Sequence, residues 1–179
     1  MEKGRGTIIR VTRLTETSLI VHWMTDTIGL LKTVAKGARR PRSSFSGKLD
    51  LFVDADLVWA PSRSSELHPL REVDVHSYRT PLRENYPKTV LASYFGQLLE
   101  HVLEREHPEP EVAMLLNRAL DYLAEASPSA QVLHRFERRL AELLGVGNEG
   151  RNAAAALESA FGRIPGDRAP CLALLKDAR

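Results

Sequence analysis

The sequence predicts an all-β unit followed by an all-α unit, a small closed barrel over residues 1–80 and a helical bundle over 81–179. Two observations carry this. Five short segments of β-type patterning precede residue 80, more in keeping with a barrel than a sandwich. At Thr80-Pro81 to Tyr86-Pro87 the apolar period changes from two residues to the helical spacing.

The elements follow in order. Thr7–Leu14 is β-branched and flanked by Gly4 and Gly6. In 16–25 Leu19, Val21 and Trp23 share one face, with Ser18 and His22 on the other. Asp26-Thr27-Ile28-Gly29 is a turn in which Gly29 is available for a positive φ. Leu30–Ala35 is a third strand whose period of two puts Lys32 and Lys36 on one face. After a Gly-, Pro-, Ser- and Arg-rich loop from Gly37 to Gly47, a fourth strand is expected over 48–59. Its apolar face carries Leu49, Leu51, Val53, Leu57 and Trp59, and its polar face Lys48, Asp50, Asp54 and Asp56. A fifth strand occupies about 66–79 with Val73 and Val75 inward.

The first expected helix carries Leu91, Phe95, Leu98, Val102 and Leu103 and is stopped by His107-Pro108. The second carries Val112, Leu116, Leu120 and Leu123. Ser127-Pro128 reads as an N-cap with proline at the first helical position of the third, which runs through Val132, Phe136 and Leu140 to Gly145 and Gly147. Ala153–Phe161 is a fourth helix, and a short last one follows Asp167.

Charge is unevenly placed. Residues 1–50 hold ten basic and four acidic side chains, net +6, leaving −4 for the rest of a chain whose total is +2. Such asymmetry points to a polyanion partner for the basic end. The stretch Leu31–Lys48 concentrates it: Lys32, Lys36, Arg39, Arg40, Arg42 and Lys48, with no acidic residue among them. Clustered Lys and Arg neutralise phosphates and release condensed counterions, and interleaved Gly and Ser admit a close backbone approach. These six are the nucleic-acid-binding candidates; a solvated basic loop is the alternative. Trp23 and Trp59 fall on apolar strand faces and read as core. Phe45, inside the basic loop, and Phe52, interrupting a polar strand face, are candidates for base stacking or for a plug between barrel and helices. On the third helix Arg135, Arg138 and Arg139, with His134, form a basic face, read either as a dock for an acidic peptide or as a solvated surface.

Catalytic chemistry finds little support. The six histidines match no zinc spacing, and neither a GxxxxGK[ST] loop nor a GxSxG elbow occurs. Asp50, Asp54 and Asp56 share the outward face of the fourth expected strand, so a metal-dependent nuclease is a rival reading. The expectation is a protein that is not an enzyme and needs no cofactor or metal. A single cysteine, Cys171, excludes an internal disulfide and fits a reducing cytosol. No apolar run approaches a membrane span, so a cytoplasmic location without membrane association is expected.

The segments Glu16–Val21, Gly29–Pro41 (Gly-Leu-Leu-Lys-Thr-Val-Ala-Lys-Gly-Ala-Arg-Arg-Pro) and Gly47–Phe52 closely resemble the N-terminal domain of bacterial RecO proteins. The Tyr94-Phe95 helix and Phe136–Leu140 leading to Leu143-Leu144-Gly145 resemble the family in pattern. The resemblance implies an oligonucleotide-binding (OB) fold followed by a helical domain, and a role in DNA recombination and the repair of DNA damage. It implies binding and annealing of single-stranded DNA, with duplex DNA also open. It further implies work with RecR to help RecA load onto strands coated by single-strand-binding protein, whose acidic C-terminal tail is a further partner. The matched basic positions are Lys32, Lys36, Arg39, Arg40, Arg42 and Lys48. Many relatives carry a four-cysteine zinc site after Leu-Leu-Gly; here Gly145–Asn152 holds no cysteine, so no zinc is expected. A protein-interaction adaptor that keeps the fold without binding DNA is the second alternative.

Overall fold

The computed structural model describes residues 1–147 and 152–177. The chain folds as two compact units, Met1–Arg79 with Glu104–Ala113, and Thr80–Leu103 with Met114–Arg179.

The first unit is a five-stranded closed barrel, in the strand order β1-β2-β3-β5-β4. Its strands are β1 (Glu2–Arg13), β2 (Leu19–Thr25), β3 (Gly29–Ala35), β4 (Asp54–Trp59) and β5 (His68–Ser77). Closure depends on β1, which pairs antiparallel with β4 through Glu2–Thr7 and with β2 through Gly6–Arg13. A register shift between Ile8 and Arg10 lets this one strand serve both neighbours. The circle is completed by a short parallel contact, Thr33 with His68 and Val34 with Pro69. Ile8, Val21, Trp23, Leu31, Leu57 and Trp59 lie at the centre of the barrel core. The indole N–H of Trp23 donates to Thr33 Oγ1 at 2.9 Å, so this large ring is buried with its polar atom satisfied.

Beside its short pairing with β5, β3 meets a chain segment from much later in the sequence. Leu30 bridges Arg105 in parallel, and the Glu106 N–H donates to the Leu30 carbonyl at 2.9 Å. The same segment is fastened by Arg105 to Glu66 and by Glu106 to the buried His68, whose Nε2 lies 2.9 Å from Glu106 Oε1. The other ring nitrogen of His68 accepts from the Ser62 N–H at 2.9 Å. Where residues 104–107 pass Gly29, the glycine has φ +71° and leaves no room for a side chain.

Two expectations about element ends are corrected here. The fourth strand begins at Asp54, not at Lys48. Phe52 has φ +69°, which breaks the alternation, and its N–H instead donates to the Ile8 carbonyl at 2.8 Å. The first long helix ends at Val102 rather than running to His107-Pro108. Leu103 is already extended and Glu106 has φ +53°, as the route along β3 demands.

The second unit contains the short α1 (Pro81–Glu84) and α2 (Tyr86–Val102), then most of α3 (Pro110–Glu125), α4 (Ala130–Leu143), α5 (Ala153–Phe161) and α6 (Arg168–Asp177). The cap of α4 is Ser129, whose side chain accepts from the Val132 N–H; Ser127-Pro128 lies before the cap, which corrects the expected helix start. Phe95 of α2 stacks on Phe136 of α4 with ring centroids 4.0 Å apart. Within this apolar interior lies Glu137, 1% exposed. It accepts from the Tyr94 hydroxyl at 2.6 Å and from Arg168 in a two-point bond at 2.6 and 2.9 Å, tying α2, α4 and α6 together. Among the described residues no helix is long and apolar enough to cross a membrane.

Candidate nucleic-acid interface

The basic candidates sit on β3 and on the long connection from β3 to β4. Lys32 is half-buried on β3, and the registers place Arg10 beside His22 and His22 beside Lys32. Arg10 is exposed on β1 two strands from Lys32, although it is distant from the loop in sequence, with the buried His22 between them. β3 ends at Ala35, so Lys36 lies in the following turn, exposed, as are Arg39, Arg40 and Arg42.

That turn is built against the hairpin between β1 and β2. The Gly37 N–H donates to Ser18 Oγ at 3.3 Å, and the Arg39 N–H donates to the Thr17 carbonyl at 3.0 Å. The hairpin closes itself, with Leu14 and Thr15 N–H groups on the Ser18 carbonyl and the Ser18 N–H on Thr15 Oγ1. Arg13 caps it from the other side, its Nε donating to the Thr15 carbonyl at 3.2 Å. Lys36 and Arg40 both line the cleft that results.

Lys48 lies elsewhere. Its Nζ donates to the Val73 carbonyl at 2.8 Å, and it lines a second, larger groove of about 750 Å³ with Lys3, Arg5 and Arg71. That groove also holds Asp26, Asp56, Glu72 and Asp74, so its charge is balanced. Among the described residues none of the six candidate cations forms an ion pair with a carboxylate.

Phe45 and Phe52 are 8% and 1% exposed, and Phe45 belongs to the barrel core. Neither presents a ring face on which a base could stack, which corrects that expectation; Phe45 packs into the barrel core instead. The loop is anchored in the core through Phe45, while Arg39, Arg40 and Arg42 are exposed.

The three aspartates of the nuclease reading are also separated. Asp50 precedes β4, in the loop. Asp54 is 4% exposed and receives the Arg5 guanidinium through Nε at 3.1 Å and Nη2 at 2.5 Å. This bond, above all, raises the Arg5 pKa from its ordinary value. Asp56 pairs with His76 Nε2 at 2.8 Å. Among the described residues no cluster of three His, Cys, Asp or Glu side chains is arranged to hold a metal.

In the helical unit the three arginines of α4 divide. Arg135 and Arg139 face a groove of about 270 Å³ between α3 and α4, with Arg118 and the exposed Tyr122 on the opposite wall and Val132 and Phe136 among its apolar lining. Arg138 lies outside it and reaches Glu142 at 3.9 Å; Arg139 pairs with Glu142 at 2.5 Å. Arg118 and Tyr122 carry no signal in the sequence, because a groove between two helices is visible only once their faces are paired. Of the segment Gly145–Asn152, for which no zinc is expected, residues 148–151 lie outside the described residues.

A five-stranded closed barrel carrying a basic connection, joined in one chain to a helical unit, defines the class: an OB-type barrel protein with a cationic face. Similarity to known proteins narrows this. Residues 1–79 match the family described as "Recombination protein O N terminal" and residues 83–158 the one described as "Recombination protein O C terminal". The chain belongs to the RecO family. It is 36% identical over 146 residues to "DNA repair protein RecO" of Pasteurella multocida, covering 80% of this chain and 58% of that protein. It is 35% identical over 130 residues to the protein of the same name from Nitrosospira multiformis, covering 73% of this chain and 52% of the relative. The chain thus spans a little over half the length of these curated relatives.

Proposed function

We propose that this chain acts in recombinational DNA repair as a binder and annealer of single-stranded DNA, without bond-making chemistry of its own. The observation that carries the reading is the group of exposed cations at residues 36–42, continued by Lys32, none of them paired with a carboxylate of the described chain. Exposed basic side chains on a packed loop lower the cost of bringing a phosphate chain, or two complementary chains, onto one surface. Contacts of this kind read backbone and not bases, so sequence preference is weak.

Salt dependence tests it. Each single-strand phosphate neutralised contributes about −0.7 to the slope of log affinity against log salt. Four contacts, from Lys32, Lys36, Arg40 and Arg42, give about −3, and all six candidates about −4. Fluorescence anisotropy with a labelled oligonucleotide should show that slope, and joint replacement of Arg39, Arg40 and Arg42 by Ala should flatten it. A flat response in the unaltered chain would count against DNA binding and favour an adaptor.

The relatives' name, DNA repair protein RecO, together with the groove between α3 and α4, supports a partner role as well. Arg118, Arg135 and Arg139 around an apolar floor suit a short peptide with carboxylates and one large apolar side chain, the chemistry of the acidic C-terminal tail of single-strand-binding protein. With RecR as a second partner, the chain would help RecA load onto strands coated by that protein. A tail peptide should compete with neither single strands nor duplex if the two sites are distinct. Arg135→Ala should weaken the peptide and spare the oligonucleotide.

A further inference from the structure

The hairpin turn at residues 14–18 and the first turn of the basic loop border an open cleft of about 360 Å³, lined by Leu14, Thr15, Val34, Lys36 and Arg40 among others. Its two walls are already fastened to each other, by Gly37 N–H to Ser18 Oγ and by Arg39 to the carbonyls of Glu16 and Thr17. The shape therefore exists before any ligand arrives, which lowers the ordering cost of binding. Leu14 is 45% exposed on one wall, an apolar side chain left in solvent immediately beside two cations.

We propose that this cleft takes one unstacked nucleotide of a single strand, its phosphate between Lys36 and Arg40 and its base against the exposed Leu14. The inference rests on the DNA-binding reading above and adds the source of strand selectivity. A volume of about 360 Å³ lies at the small end of ligand sites, which run from roughly 300 to 1,000 Å³. Phosphates alone do not distinguish single strands from duplex, whereas a base laid against an apolar wall must first leave its stack. A duplex presents no such base.

The test compares three probes of equal phosphate number on the full chain: an oligothymidine single strand, an abasic single strand and a duplex. The base-bearing strand should bind severalfold tighter than the abasic one, the gain expected from laying apolar base surface against an aliphatic side chain. Leu14→Ser, at a half-exposed position, should abolish that difference and leave the salt slope unchanged. Joint Lys36→Ala and Arg40→Ala should weaken all three probes and flatten the slope by about 1.4. Equal affinity of the unaltered chain for base-bearing and abasic strands, with a steep slope retained, would overturn the cleft assignment and leave DNA binding standing. A preference for the base-bearing strand that survives Leu14→Ser would overturn it too. No binding of either strand at low salt would remove the DNA-binding reading itself.

Discussion

The Arg39 guanidinium donates to the Glu16 carbonyl oxygen at 2.9 Å, joining the basic loop to a hairpin turn 23 residues earlier in the chain. The backbone N–H of Arg39 makes a second bond to the neighbouring Thr17 carbonyl at 3.0 Å. This residue both carries charge and positions its neighbours. Arg39→Lys is expected to keep the salt slope of oligonucleotide binding, while Arg39→Ala should flatten it by about 0.7. The exposed side-chain bond is worth at most about 1 kcal/mol, so urea midpoints should move little in either variant. A large loss of binding in Arg39→Lys would show that its geometry, and not its charge, is what matters.

Glu137 is the most consequential polar residue of the helical unit. Breaking a buried ion pair by removing one partner costs about 3–5 kcal/mol, because the remaining charge is left without a partner. Glu137→Ala should therefore destabilise the unit by that amount in urea denaturation. Tyr94→Phe, which deletes one hydrogen bond and keeps the ring, should cost about 1 kcal/mol. The ordering of the two losses is the point of the experiment.

Cys171 is fully buried, and burial above all, with the nearby Glu137 charge, pushes its thiol up to about 11 from an ordinary value of 9.0. Burial and the hydrogen bond to Glu137 push the Tyr94 hydroxyl upward as well. The unfolded chain releases such protons at lower pH than the folded one, so folding stability falls as pH rises from about 9 through 11. Urea midpoints measured from pH 8 upward should decline across that window, and Cys171→Ala should make the decline shallower. In the native state near neutral pH the thiol should react with a disulfide reagent only slowly, and readily once the chain is unfolded.

Two glycines with the same backbone angle separate strain from crowding. Gly29 and Gly47 have φ +71° and +72°, but only at Gly29 would a Cβ run into another atom, the carbonyl oxygen of His107. Gly47→Ala should cost about 1 kcal/mol, the ordinary penalty for a side chain at positive φ. Gly29→Ala should cost clearly more, since residues 104–107 must also move away from β3. Equal losses in thermal denaturation would mean that this segment is not held in place.

Much of the fold is visible in the residues. Leu19, Val21 and Trp23 alternate because that face of β2 turns to the barrel core, although His22 and Met24 on the other face are buried as well, and Gly29 ends the turn with the expected positive φ. The apolar spacing in α2 and α4 likewise marks the faces that meet through Phe95 and Phe136. The misreadings have local causes. Leu49, Leu51 and Val53 alternate as a strand would, but the positive φ at Phe52 is a tertiary demand that alternation cannot register. Ser127 and Ser129 both have the chemistry of a cap, and only the direction of the chain entering α4 selects Ser129.

Periodicity and charge clustering are properties of residue order, so the barrel, the helices and a cationic stretch over residues 32–48 follow from the chain read in one dimension. What those cations can do is settled by neighbours distant in sequence. Lys48 is turned to the carbonyl of Val73, Asp54 is neutralised by Arg5, and Leu14 is brought beside Lys36 and Arg40 to make a cleft. Each of these depends on strand register and barrel closure, which bring together residues that no short window of sequence contains.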